Sequence, residues 1–107
     1  MRQSIDWVEQ AVQSLHTAAR HADELAAGDV FSSWAAMADQ IRLVASGLDP
    51  VASPGEGRAW PSVRECLTAA LEALDRVGPP DGPDDLRLWH WHLREVADLA
   101  ERLETIR

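Results

Sequence analysis

The run IDWVEQAVQSLHTAARHADELAAGDVFSSWAAMADQIRLVASGLDP, residues 5–50, decides the fold. Its first half carries Ile5, Val8, Val12, Leu15, Ala19, Ala22 and Ala26 at alternating intervals of three and four, the spacing that lines one face of an α-helix. Gly28 interrupts the rhythm, and Val30, Trp34, Met37, Ile41, Val44 and Leu48 resume it. These residues predict a first helix from about Gln3 to Ala27 and a second that opens after Asp29 as N-cap. Gly47 and Asp49-Pro50 stop the second, closing a helical hairpin over about residues 3–49.

Outward from that hairpin, residues 50–61 are rich in proline and glycine and read as the one long connection. Ser62-Val-Arg-Glu65 then has the form of a capping box, in which side chains satisfy the unpaired amides of a first helical turn. The third stripe is Val63, Leu67, Ala70, Leu74 and Val77, closed by Gly78-Pro79-Pro80. Pro83 with Asp84 and Asp85 opens the fourth helix, whose stripe is Leu86, Trp89, Leu93, Val96, Ala100 and Leu103. The second hairpin thus spans about residues 62–107. Four amphipathic helices bury their stripes best against one another, so the expected fold is all-α: an antiparallel four-helix bundle built from two helical hairpins, one domain over residues 1–107.

In an up-and-down arrangement the end of the first helix lies level with the starts of the second and fourth. Ala19, Ala22 and Ala26 would then face Trp34 and Trp89, small against large as in ordinary core packing. The same juxtaposition, with Met37, offers an alternative: a Trp-lined pocket for a small apolar ligand at Trp34, Met37 and Trp89.

A chain of 107 residues buries about two-thirds of its unfolded surface and folds without staples. Cys66 is the only cysteine, which excludes an intrachain disulfide and fits a reducing compartment. The N-terminal residues have neither the basic nor the apolar region of a signal peptide, and no apolar run approaches a membrane span, so a cytoplasmic protein without membrane association is expected. Lys, Asn and Tyr are absent while Arg and Ala are plentiful, a usage typical of GC-rich bacterial or phage genomes. A formal net charge of −8, with ten arginines scattered along the chain, repels phosphate backbones; direct nucleic-acid binding is not expected.

Two His-x-x-Glu pairs, His21 with Glu24 and His92 with Glu95, place imidazole and carboxylate on one helix face. Heptad counting puts Glu24 away from the core and His21 and Glu95 on flanks, whereas a bundle di-metal site needs inward ligands from all four helices. No metal and no cofactor is expected. Glu72-x-x-Asp75 is similar to half of the carboxylate set of all-α nucleotide pyrophosphohydrolases, but the matching glutamates on an earlier helix are missing.

Arg87-Leu-Trp-His-Trp-His92 has an arginine followed by four residues and a histidine, and it resembles the motif of HEPN-type ribonucleases, compact helical bundles of about this size. The resemblance covers these two positions. It implies an alternative function, metal-independent RNA cleavage across a dimer, with His92 as acid or base and Arg87 stabilising phosphate charge. The position after the arginine, usually polar in that family, is Leu88 here. No phosphate loop or nucleophile elbow accompanies the pair.

The tryptophans point elsewhere. Trp7 falls on a flank of the first helix, Trp60 lies in the connection, and Trp91 is nearly opposite the fourth stripe with Leu88 one turn before it. Tryptophan is enriched among interface hot spots. Leu88 and Trp91, flanked by His90, His92 and Glu95 and supplemented by Trp7 and Trp60, are the expected contact surface for a protein partner or a second copy of the chain.

Overall fold

The computed structural model describes residues 6–49, 62–77 and 84–105. They form four helices: α1 (Trp7–Ala26), α2 (Ser33–Leu48), α3 (Val63–Asp75) and α4 (Leu86–Thr105). They make an antiparallel four-helix bundle of two hairpins, α1 with α2 and α3 with α4. Trp60 and the rest of residues 50–61, Ile5, and residues 78–83 lie outside the described residues.

Local chemistry explains most helix ends. The Asp6 carboxylate accepts from the Glu9 amide, and Ser62 Oγ accepts from the Glu65 amide at 3.1 Å, the expected half of the capping box. α1 ends where Ala27 turns left-handed (φ 51°) and donates its amide to the carbonyls of Asp23 and Glu24. Gly28 continues that turn at φ 82°, so the cap begins one residue before the glycine.

The start of α2 departs from expectation. Asp29 does not cap it, because its carboxylate accepts from the Phe31 amide in a tight local turn. Ser32 Oγ takes the Trp34 amide instead. Val30 therefore belongs to the loop rather than to the helical stripe, and it is 78% exposed.

A single core fills the bundle. Its largest fully buried side chains include Leu15, Met37, Ile41, Leu67 and Leu93, each contributing about 1.5–3 kcal/mol through removal from water. Around it the helices run in the order α1, α2, α4, α3, with α1 diagonal to α4 and α2 diagonal to α3. α1 packs most extensively, because Ala11, Ala18, Ala19 and Ala22 let both neighbours approach closely. α4 is docked more lightly, with only Leu93, Val96 and Ala100 buried.

Side-chain contacts give the directions. Trp7 at the start of α1 lies beneath Arg76 just after α3, and the end of α1 meets the start of α3 at Ser62 and Val63. Trp89 at the start of α4 packs on Gly47 at the end of α2. Thus α1 and α4 run one way and α2 and α3 the other, and Asp49 and Ser62 stand at opposite ends of the bundle. The arrangement is up-down-down-up rather than up-and-down. A short loop would have forced the simpler order, but a connection of residues 50–61 is long enough to carry the chain from one end to the other.

This order corrects the expected tryptophan pairing. Trp34 borders the end shared with Ser62 and Glu104, whereas Trp89 sits at the opposite end, fifteen helical residues and about 22 Å from Glu104. Gly47, expected only to stop α2, is helical and provides the flat surface on which Trp89 lies. Among the described residues no helix is long and apolar enough to cross a membrane.

Candidate functional site

Two histidines and the tryptophan between them organise the outer side of α4. His90 Nε2 lies 2.8 Å from Asp75 Oδ1 of α3, and His92 Nε2 lies 2.9 Å from Gln40 Oε1 of α2, each imidazole donating. Residues two apart on a helix point about 200° apart, so the two rings grip neighbours on opposite flanks. Trp91, between them, is directed away from the bundle and is 59% exposed. Leu88, one turn earlier on the same face, is 58% exposed.

Two residues that the apolar stripes leave out extend this surface. Leu99 is 40% exposed and lies three turns beyond Leu88 on the same side of α4. Leu43 of α2 is 49% exposed and one turn from Gln40, on the side toward which Leu88 lies from His92. Leu43, Leu88 and Leu99 thus border the α2/α4 seam, floored by the Gln40–His92 hydrogen bond, and Trp91 stands on its outer rim. The signal for Leu99 was present in its eleven-residue interval from Leu88. Leu43 became recognisable only once α2 and α4 were neighbours.

The other residues singled out in the sequence are not brought to this face. Trp7 is half-buried on the opposite side of the molecule, along the α1/α3 seam, with the Arg76 guanidinium 5.0 Å above its ring. Trp60 lies outside the described residues. Met37 is buried in the core, and Trp34 and Trp89 flank it from opposite ends, so the three do not line one apolar pocket.

Arg87 and His92 are five residues apart on one continuous helix, which turns their side chains about 140° from each other. Arg87 is exposed, while His92 is turned into the α2 seam, bonded to Gln40 and edge-on to Trp89 with ring centroids 6.4 Å apart. Within one chain the two do not converge on a common point. His21 and Glu24 approach to 3.7 Å at the far end of α1 and are not level with His92. Among the described residues, no three His, Cys, Asp or Glu side chains gather as metal ligands would. Asp75 is engaged by His90, and Glu72 is exposed on α3.

Compared with known proteins, the chain matches no protein family, no curated protein and no solved structure. The site's chemistry therefore has to speak through its own residues. What they present is a half-exposed indole and three leucines beside the paired His90 and His92, with the exposed Glu95 one turn from both Trp91 and Leu99.

Proposed function

We propose that this domain is a protein-interaction module that binds its partner through the outward face of α4 and its seam with α2. The observation that carries this is the placement of Leu88 and Trp91 on successive turns, both more than half exposed, with Leu43 across the seam and Leu99 farther along α4 also exposed. Leaving an indole in water has a cost that a soluble bundle avoids by burying it, and Trp is a preferred anchor of interface cores. The His90 and His92 contacts tie α4 to α3 and α2, so the helix face that carries Trp91 is in place before binding.

Two occupants fit this surface: a second copy of the chain, and a different protein. Light-scattering mass measured over a concentration series distinguishes them, with Trp91→Glu as the comparison. A mass that rises with concentration in the wild type alone identifies self-association. A monomer in both cases, with capture of a specific partner by the wild type alone, identifies a separate protein. The proposal fails if Trp91→Glu unfolds the domain, or if wild type and variant associate equally.

A further inference from the structure

A second feature lies at the other end of the molecule. There the C-termini of α1 and α4 meet the N-termini of α2 and α3 around an open cleft of about 540 Å³, within the size range of small-molecule sites. Leu25 and the Trp34 indole form its apolar walls, and Val63, buried in the core, lies at its base. His21, Glu24, Ser62 and Glu104 supply its polar groups, drawn from α1, α4 and the cap of α3.

Among the described residues, the charges left over give the sign of charge that this cleft accepts. Two positive and two negative helix ends meet here, so their dipoles oppose one another. Ser32 and Ser62 each cap one amide of the α2 and α3 first turns at 3.1 Å, which reduces the donors open to an anion. Formal charges then decide. Glu24 is open to solvent, with the His21 imidazole as its neighbour at 3.7 Å. Glu104 faces Arg64 only at 4.0 Å, and Arg64 is 55% exposed, a loose pair of small net strength.

We infer that this cleft binds a guanidinium or alkylammonium group carried on an aliphatic stem. The carboxylates of Glu24 and Glu104 receive the cationic head, the face of Trp34 attracts it through its quadrupole, and the exposed Leu25 covers the methylenes. The stem sets this site apart from a bare cation site, because Leu25 and the Trp34 ring offer it carbon surface and no metal-ligand set is present among the described residues. Beside the cleft, Val30 and Phe31 are 78% and 94% exposed on the loop shaped by Asp29. They offer apolar contact to residues flanking an arginine or lysine of a bound polypeptide. The inference is independent of the α4 surface, which lies on other residues.

The test is a titration of the ¹⁵N-labelled full chain with agmatine, a guanidinium and an ammonium on a four-carbon stem, and separately with acetyl-Leu-Arg-Leu-amide. Backbone amide shifts at Leu25, Trp34 and Val63 report occupancy. Saturable shifts that weaken roughly tenfold or more in the Glu24→Gln/Glu104→Gln double variant, with unchanged circular dichroism, are the expected result. Peptide bound at least about tenfold tighter than agmatine assigns the group to a polypeptide side chain, and equal affinity assigns a free amine; both support the site. Shifts that fail to saturate for both probes, or affinity unaltered in the double variant, overturn it.

Discussion

Gly47 and Trp89 occupy one another's space so closely that a Cβ built on Gly47 would overlap the six-membered ring of the indole. The contact joins the last turn of α2 to the first turn of α4 and fixes how far apart the two helices stand. It also leaves the buried Trp89 Nε1–H without an acceptor among the described residues, so the ring is held by shape rather than by a hydrogen bond. Glycine in a helix ordinarily costs about 0.5–1 kcal/mol relative to alanine, and Gly47→Ala would normally stabilise. Here overpacking reverses the sign, and a loss of about 1–3 kcal/mol is expected. In a Trp89→Leu background the obstacle is gone, and the same substitution should stabilise. Urea unfolding of the four proteins of this cycle measures the coupling, and an additive result would mean that the ring does not rest on Gly47.

Leu43 and Leu99 flank the proposed docking face without entering the core. Leu43→Glu and Leu99→Glu are expected to change stability by no more than about 0.5 kcal/mol, as surface substitutions generally do, while weakening association as Trp91→Glu does. Leu93, fully buried one turn from His90, provides the contrast: Leu93→Ala should cost about 2–5 kcal/mol. Denaturation curves paired with binding assays separate the two behaviours. Should Leu43→Glu destabilise as strongly as Leu93→Ala, the seam is packed shut and is no docking surface.

The helical faces were legible because a stripe needs only its own helix. Met37, Ile41, Val44 and Leu48, then Val63, Leu67, Ala70 and Leu74, are all buried where their spacing predicts. The order of the helices was not legible, since a stripe specifies which side is covered and not by which neighbour, and the connection is long enough for either topology. The same gap explains the misplaced Trp89, whose partner Gly47 lies on another helix. Val30 was misassigned for a local reason: the Asp29 carboxylate satisfies the Phe31 amide and delays the start of α2. Trp91 could be placed outward from periodicity alone, whereas Leu43 could not be assigned to the same surface until α2 and α4 were adjacent.

His16 links stability to pH. It is half-buried on α1, and desolvation first, then the positive charge of Arg42, holds its pKa below the ordinary 6.5. The unfolded chain therefore binds a proton more readily than the folded one, and stability is lost as pH falls through 6.5 toward the lower folded value, with no further loss from this group below it. The difference in unfolding free energy between wild type and His16→Gln, followed from about pH 7.5 to 5.5 across the usual histidine range, isolates this effect from the other titrating groups. The wild type should lose the larger amount. Arg42→Gln should reduce the loss, because the repelling charge is removed; Arg42 also pairs with Asp23, so the comparison is of pH slopes rather than absolute stabilities. Parallel curves for wild type and His16→Gln would show that His16 titrates normally.

The length of the connection is itself a structural requirement. α2 has 16 residues and is about 24 Å long at 1.5 Å per residue, a distance that the chain must recover between Asp49 and Ser62 because the two stand at opposite ends. Deleting residues 52–59 leaves four residues, which reach only about 17 Å when extended. The intact bundle cannot then form within one chain. The deletion should either abolish cooperative unfolding or yield a dimer in which hairpins are exchanged, since the missing reach can be supplied by a second molecule. Replacing the same eight positions with glycine and serine at constant length should preserve the wild-type mass and fold, which separates reach from sequence. In an up-and-down bundle a four-residue connection would be ordinary, so a deletion variant that keeps the wild-type mass and unfolds like the wild type would show that α3 begins beside the end of α2, contrary to the cleft that Ser62 and Val63 share with the end of α1.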